Sequence, residues 1–109
     1  MSADNSKAQM RKGILEYCIL LIVSRGDAYA SDVIEQLTSE KMIVVEGTLY
    51  PILTRLKNQG LLKYRWQEST QGPPRKYYSL TEQGCDFLTQ LDESWTELVI
   101  QIEQIRTQK

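Results

Sequence analysis

Residues 47–57 have the sequence Gly-Thr-Leu-Tyr-Pro-Ile-Leu-Thr-Arg-Leu-Lys, and the prediction of the fold starts from them. Apolar residues stand at positions 49, 52, 53 and 56, the i, i+3, i+4, i+7 spacing of a helix with one buried face. The opposite face carries polar, cationic and aromatic side chains, which can reach phosphates and base edges when a helix lies in a DNA major groove. A polar face does not show this by itself, because every short amphipathic helix has one. The neighbouring segments therefore have to decide what this face does. It carries Thr48, Tyr50, Pro51, Thr54, Arg55, Lys57 and Asn58.

Two further helices are predicted before this stretch, over residues 8–25 and 29–39. The first has apolar side chains around more than half of its circumference, which implies burial on more than one side. Residues 42–45, Met-Ile-Val-Val, predict a short strand or an extended turn, and Gly47 can cap the helix that follows. Two helices, a short connection and a third helix form a helix-turn-helix arrangement. The cations at the start of the first helix form either a solvated end or a phosphate-contacting group: Lys7, Arg11 and Lys12.

A β-hairpin is predicted after Gly60. Residues 61–68 alternate apolar and polar side chains, residues 69–74 have loop composition, and residues 75–80 form a second short strand. We expect Tyr64 and Trp66 to pack the hairpin against the core. A hairpin appended to a helix-turn-helix is a wing, and a cationic wing can lie along a sugar-phosphate backbone. The cations here are Lys63, Arg65, Arg75 and Lys76.

The longest predicted helix begins after Thr81, a good N-cap residue, and ends near residues 104–107. At ~1.5 Å per residue it spans roughly 37 Å, more than a domain of this size needs for itself. Its apolar residues recur in steps of three and four, which predicts a seam docked against a second copy, together with the first helix. We therefore divide the chain into a DNA-binding domain, residues 1–80, and a dimerisation helix, residues 81–109. The seam consists of Leu88, Leu91, Trp95, Leu98, Ile102 and Ile105.

Composition excludes several classes of protein. The 109 residues include no histidine, which removes the commonest general base and metal ligand, and we predict no catalytic residues, no metal site and no cofactor. Cys18 and Cys85 lack metal or redox spacing and are expected to be core or interface thiols of a reduced compartment. The longest apolar run, residues 18–23, is far shorter than the ~20 residues that span a bilayer, and the polar composition of residues 1–12 leads us to expect no signal peptide. A cytoplasmic protein with no membrane partner is expected.

The net charge of −1 hides two unlike halves. Residues 1–80 hold eleven Lys and Arg against eight Asp and Glu, giving +3. Residues 81–109 hold two cations against six acids, giving −4. The first part of the chain can face phosphate while the second faces water or a partner.

Two motifs resemble those of the PadR-type winged-helix transcriptional regulators, in particular the short subfamily with a single C-terminal dimerisation helix. Residues 47–53, followed by Arg55 and Leu56, resemble the family's recognition-helix signature. Residues 60–62 follow, and residues 72–81, Gly-Pro-Pro-Arg-Lys-Tyr-Tyr-Ser-Leu-Thr, through Gly84, are similar to its wing and the entry to its last helix. The chain departs from the family after Tyr29, where residues 30–31 are Ala-Ser and the family often has a glycine and another aromatic.

The resemblance implies a mainly α fold with a small β-wing, in a homodimeric repressor that binds double-stranded DNA at a palindromic operator. It implies control of a neighbouring transporter or detoxification gene, relieved by a phenolic acid or a planar lipophilic drug. It also implies that Tyr50 and its neighbours meet phosphates or bases while the wing contacts DNA through Arg75 and Lys76. The full set of predicted DNA-binding residues is Lys7, Arg11, Lys12, Thr48, Tyr50, Pro51, Thr54, Arg55, Lys57, Arg75 and Lys76.

The predicted effector site lies around Trp95. Residues 93–95, Glu-Ser-Trp, are similar to the stretch that in multidrug-sensing members places one tryptophan per subunit across a central pore. Two indoles facing each other across a twofold axis can leave a slot for a small planar aromatic effector, and Asp92 would favour a cationic one. The alternative is a tryptophan that packs the dimer core without a ligand. The effector-binding residues are predicted to be Trp95, Asp92, Leu91 and Val99.

Two alternative functions remain open at this point. A winged-helix protein–protein interaction module would not need the cations at positions 55, 57, 75 and 76 for binding. A ligand-binding or carrier dimer without DNA binding would depend on Trp95 but not on Tyr50 or the wing.

Overall fold

The computed structural model describes residues 2–42 and 44–108. Four helices and one antiparallel hairpin follow one another in the described part of the chain, which confirms the predicted mainly α fold with a β-wing. They are α1 (Asp4–Ser24), α2 (Ala30–Ser39), α3 (Glu46–Asn58), β1 (Leu62–Ser69), β2 (Gly72–Leu80) and α4 (Glu82–Thr107).

The core lies where α1, α2 and α3 meet the base of the hairpin. The predicted inner face of α3 is confirmed, because Leu49, Leu53 and Leu56 are fully buried and Ile52 packs against them. Ala28 forms an isolated bridge with Tyr78, so the loop between α1 and α2 is tied to β2. Burial of this apolar surface is the main force that holds the three helices together. The other large buried side chains of the described residues are Leu15, Ile19, Leu20, Val23, Val33, Leu37, Leu61, Leu62, Tyr78 and Leu88.

The beginning of α3 differs from the prediction. Val45, with extended backbone angles, is the N-cap, so Gly47 is a residue of the first turn and Pro51 lies in the second turn. The missing N–H of Pro51 therefore removes a helical hydrogen bond. Met42, Val44 and Val45 form no strand, since the described residues offer them no neighbouring strand, and the extended turn is the correct alternative. Position 43 lies outside the described residues.

The wing is longer than predicted and its loop is shorter. A turn at residues 70–71 joins the strands, and Gly72, Pro73 and Pro74 belong to β2 rather than to a six-residue loop. Both strands of a two-stranded sheet are edge strands, and the register is irregular opposite Pro73 and Pro74, so neither proline interrupts a regular ladder. The expectation that Trp66 packs against the core is wrong: the hairpin extends past the core and leaves this side chain 60% exposed.

The root of α4 is locked onto the end of α3. Gly60 adopts a left-handed conformation, φ +80°, after the last turn of α3, and Thr81 Oγ1 donates to the Gly60 carbonyl at 2.6 Å. The same hydroxyl accepts the Gly84 N–H at 2.9 Å, which confirms Thr81 as the N-cap of α4. A Cβ at Gly84 would lie 2.1 Å from the Leu61 carbonyl oxygen, so only glycine allows this close approach. Beyond Leu91 every described residue of α4 is exposed.

Three further observations concern the ends and surfaces of the helices. The helix α1 begins at Asp4, earlier than expected, and residues 4–13 project from the core with all side chains exposed. Cys18 is partly buried, and this burial raises the pKa of its thiol, whereas Cys85 is exposed. Within the described residues, no helix combines the length and apolar character that a membrane crossing requires.

Candidate nucleic-acid interface

The outer face of α3 is open to solvent along its length. Tyr50 is 46% exposed, and Thr48, Pro51 and Thr54 are also exposed, while the opposite face is buried. The burial of the apolar face fixes the rotation of the helix about its axis. The predicted polar side chains therefore all point away from the core.

A groove of about 390 Å³ lies between the starts of α2 and α3 and the wing, and we call it the wing groove. Tyr50 from α3 and Arg75 and Lys76 from β2 line the same concave surface. The structure thus brings together the side chains that the sequence assigned separately to the helix and the wing. The complete lining is Tyr29, Ala30, Ser31, Glu46, Tyr50, Trp66, Pro74, Arg75, Lys76 and Tyr78.

Arg75 and Lys76, the two wing cations that line the wing groove, lie against aromatic rings. The Arg75 guanidinium carbon lies 3.9 Å from the centroid of the Tyr29 ring, and Nη1 lies 3.4 Å from Ser31 Oγ. Lys76 Nζ lies 4.6 Å from the Tyr64 centroid and 5.7 Å from that of Trp66. Stacking of a cation on a ring leaves its charge available while limiting its motion. These cations are therefore positioned before any ligand arrives.

Sequence patterns alone did not identify Tyr29, Ser31 and Trp66 as groove residues. Tyr29 and Ser31 belong to α2 and its cap, more than forty positions from Arg75, and only the packing of α2 against β2 brings them together. The stretch in which the chain departs from the family pattern, Ala30 and Ser31, is part of this contact. Glu46, an acid in the first turn of α3, also lines the groove and was not predicted there.

A second groove, of about 540 Å³, lies between α1 and α3 and holds another group of the predicted residues. Arg11 and Lys12 line it from α1, and Thr48, Pro51 and Arg55 line it from α3. Arg55 Nη2 lies 3.2 Å from Glu16 Oε2, so its charge is partly compensated within the chain.

Other cations lie outside both grooves. Lys7 is exposed on α1, and Lys57 Nζ lies 5.9 Å from the Tyr64 ring centroid. Arg65, which was included with the wing cations, pairs with Asp27 at 3.0 Å and stacks on Tyr77. It therefore fixes the wing to the loop before α2 rather than lining either groove.

The residues of the predicted effector site lie where α4 leaves the domain. Trp95 is 40% exposed, Val99 and Asp92 are exposed, and Leu91 is partly buried against the core. A residue that the sequence did not indicate, Tyr17 of α1, completes the group, because its hydroxyl donates a hydrogen bond to Asp92 Oδ1.

Tyr17 also contacts the tryptophan. Its ring centroid lies 6.3 Å from that of Trp95, in a tilted arrangement. The hydrogen bond to Asp92, followed by burial and the charge of the same carboxylate, raises the pKa of Tyr17 to about 12. The phenol is therefore neutral near pH 7 and acts as the donor.

The predicted seam on α4 divides into two parts. Leu88 is buried in the chain's own core, so little of its surface is left for a partner. The later positions, Leu98, Ile102 and Ile105, are 45%, 49% and 70% exposed. An apolar stripe on α4 therefore has no cover within the described chain.

The described residues of the chain contain no group of three or more His, Cys, Asp or Glu side chains placed to hold a metal ion.

Comparisons with known proteins agree on one family. The model of the transcriptional regulator PadR-like family matches residues 19–90. A PadR-like transcription factor from Bacteroides fragilis is 60% identical, covers 93% of this chain and 98% of its own, and superposes with a TM-score of 0.80. A PadR-like transcriptional regulator from Bacillus cereus is 32% identical over 93% of this chain and 99% of its own, with a TM-score of 0.83.

A third structure, of Bacillus subtilis PadR in complex with operator DNA, is similar in fold. It is 23% identical, covers 72% of this chain and 45% of its own, and superposes with a TM-score of 0.67. The family match and the 60% identity together decide the identification. The chain belongs to the PadR-like family and is a transcriptional regulator, not an enzyme.

Proposed function

We propose that this regulator binds a palindromic DNA operator as a homodimer, with α3 in the major groove and the wing on the adjacent backbone. The observation that carries the proposal is the wing groove, in which Tyr50 of α3 stands beside the positioned cations Arg75 and Lys76. One side chain that can reach base edges and two that can reach phosphates share one open surface. The PadR of Bacillus subtilis, which has this fold, is bound to operator DNA in its solved structure.

The remaining DNA contacts follow from the exposed face of α3 and its neighbours. Thr48 and Thr54 present hydroxyls beside Tyr50, and Pro51 stands between them. Arg55 and Lys57 extend the same helix toward the DNA backbone.

On the α1 side, Arg11 and Lys12 border the second groove, and Lys7 adds charge one turn earlier. Together they supply the positive surface that attracts phosphate.

The homodimer is inferred from the uncovered apolar stripe on α4. Exposure of this stripe to water is unfavourable, because its side chains are apolar. It consists of Trp95, Leu98, Val99, Ile102 and Ile105. A second α4, related by a twofold axis, offers the same apolar face in return. The two copies of α3 would then face half-sites about one helical turn apart, roughly 34 Å.

We further propose that the regulator represses a transporter or detoxification gene and is released by a planar hydrophobic or phenolic effector bound near Trp95. The indole is exposed, next to the carboxylate of Asp92 and the apolar side chains of Leu91 and Val99. Because α4 joins the two copies, a ligand there can change the angle between subunits. A small rotation prevents both copies of α3 from docking together.

A mobility-shift assay on the DNA upstream of the protein's own gene tests the proposal. Affinity should fall steeply between ~50 and ~200 mM salt, because each phosphate that is neutralised releases counterions. Tyr50→Ala should lose binding, whereas Arg106→Ala, an exposed cation of α4 away from both grooves, should keep it. If no DNA is retarded at any salt, the proposal is wrong. Binding that survives the double variant Arg75→Ala/Lys76→Ala would leave no role for the wing groove.

The effector is tested separately. Planar dyes should quench tryptophan fluorescence in the wild type and in Trp66→Phe. Quenching should disappear in Trp95→Ala, in which Trp66 remains as an internal control. Unchanged quenching in Trp95→Ala would exclude stacking on Trp95.

A further inference from the structure

The helix α4 leaves the winged-helix domain at one turn. Leu88 and Leu91 pack against the core, and residues 92–108 are all exposed. At this turn stands the hydrogen bond between Tyr17 and Asp92, the one side-chain hydrogen bond that joins α1 to α4 among the described residues. The Tyr17 ring also lies 6.3 Å from that of Trp95, one turn further along α4.

The two ends of this contact differ in freedom. Tyr17 is partly buried, and it packs against the core from the middle of α1. Asp92 is exposed and lies just beyond Leu91, the last described residue of α4 that packs against the core. Asp92 and Trp95 are three residues apart and therefore lie on the same side of the helix. A molecule that stacks on the indole reaches the carboxylate that Tyr17 uses.

We propose that Tyr17 and the effector compete for Asp92, and that in the absence of the effector the Tyr17 hydroxyl holds the turn of α4 just beyond its packed root against α1. When an aromatic cation stacks on Trp95, its charged N–H group takes over the carboxylate, and this turn of α4 loses its hydrogen bond to α1. This inference rests on the proposed effector site and names the ligand class: aromatic rings that carry a protonated nitrogen.

The charges of α4 favour a cation over a neutral or anionic ligand. A charged N–H donor bonds a carboxylate more strongly than a phenol does, so it can displace the Tyr17 hydroxyl. A neutral aromatic can stack on Trp95 but has no group that replaces this donor. Within the described part of α4, Arg106 is the one cation, and it pairs with Glu103 at 2.7 Å. Asp92 therefore has no basic partner on its own helix.

Loss of the Tyr17–Asp92 hydrogen bond would change the position of the DNA-binding face, because rigid elements connect the two. Tyr17 lies on α1, which packs through Leu15 and Ile19 against the core that also holds α3. A change in the direction of α4 moves each winged-helix domain as a body relative to its copy. The separation of the two copies of α3 then departs from the half-site spacing.

Calorimetry with two matched probes tests the competition. The cationic probe is 4-aminoquinoline, protonated near neutral pH, and the neutral probe is quinoline. The wild type should prefer the cation. Tyr17→Phe keeps the ring and removes the competing donor, so 4-aminoquinoline should bind about tenfold more tightly while quinoline is unchanged. Asp92→Asn should abolish the preference, and Tyr77→Phe, which removes a hydroxyl elsewhere, should match the wild type.

The effect on DNA is measured with the same variants. The cation should weaken operator binding of the wild type by about fivefold or more. The Tyr17→Phe variant should bind the operator more weakly than the wild type without any ligand. The cation should weaken operator binding of this variant by a smaller factor than it does for the wild type. The inference is overturned if Tyr17→Phe equals the wild type in both assays, or if the wild type binds neither probe or binds both equally. Failure of the wild type to bind the operator would refute the proposed function, whereas the calorimetry would still decide whether Tyr17 and the probe compete for Asp92.

Discussion

The helices α3 and α4 carry the same apolar spacing, yet they use it differently. In α3 the side chains of Leu49, Leu53 and Leu56 are fully buried in the chain's own core. In α4 only the first turns are covered, and exposure rises along the stripe from 40% at Trp95 to 70% at Ile105. Apolar periodicity therefore predicts that a face will be covered, but not which molecule covers it. For α3 the answer lies within the chain, and for α4 we infer a second copy.

The largest effect is expected from the core of α3. Leu53→Ala should lower the free energy of unfolding by about 2–5 kcal/mol, because it removes apolar contacts and leaves a cavity in a fully buried site. Urea unfolding at several protein concentrations measures it. The loss should not depend on concentration, since the cavity lies within one chain. A loss below ~1 kcal/mol would show that α3 is less firmly packed than its burial indicates.

The matching change in α4 should act on assembly instead. Ile102→Asp places a carboxylate in the proposed dimer interface and should weaken self-association by roughly a hundredfold, about 3 kcal/mol. Sedimentation velocity over a range of concentrations measures the dissociation constant. Far-UV circular dichroism of the variant should stay native at high concentration. If Ile102→Asp remains as dimeric as the wild type, α4 does not form the interface.

The joint between the two regions is sensitive to a single methyl group. Gly84→Ala should destabilise the chain by about 1–3 kcal/mol, because the new Cβ meets the Leu61 carbonyl oxygen and neither backbone can easily move. Gly13→Ala is the matched control. Nothing lies within 4 Å of a Cβ there, and the change should stabilise α1 by about 0.5–1 kcal/mol. Equal thermal midpoints for the two variants would contradict the close approach at Gly84.

A smaller effect, on the salt dependence of DNA binding, distinguishes a cation of the wing from a cation of α4. Arg75→Ala should reduce the slope of log affinity for DNA against log salt by about 1, because one phosphate contact is lost. Arg106→Ala, a cation of α4, should leave this slope unchanged. Fluorescence anisotropy with labelled operator at several salt concentrations measures both. A reduced slope in Arg106→Ala would place α4 on the DNA.

The smallest effect is a change in tyrosine ionisation. The raised pKa of Tyr17, about 12, means that the folded state favours the neutral phenol. Its stabilising contribution is complete below the unfolded value near 10 and is lost as the pH rises through about 12. Absorbance titration should therefore show one late-ionising tyrosine fewer in Tyr17→Phe, with Tyr78, whose pKa burial also raises, still late. In Asp92→Asn, Tyr17 should ionise earlier, and a titration that does not change would contradict the hydrogen bond.

Local sequence signals predicted the order and type of every element. The spacing around Leu53, the alternation before Trp66 and the cap at Thr81 each depend on near neighbours, and each produced the predicted helix, strand or N-cap. The boundaries were less accurate. The start of α3 moved to Glu46. The wing loop shrank to residues 70–71, because Gly72 pairs with Ser69 across the hairpin.

The sequence alone determined that the chain forms a winged helix with a long last helix that carries an apolar stripe. Periodicity and capping are local properties, and both can be recovered without coordinates. Only the tertiary structure decided that Arg75 stacks on Tyr29 and that Tyr17 meets Asp92. These pairs lie 46 and 75 positions apart along the chain. Their contact depends on how α2 packs on the wing and how α1 packs on α4, and no spacing within one element encodes that packing.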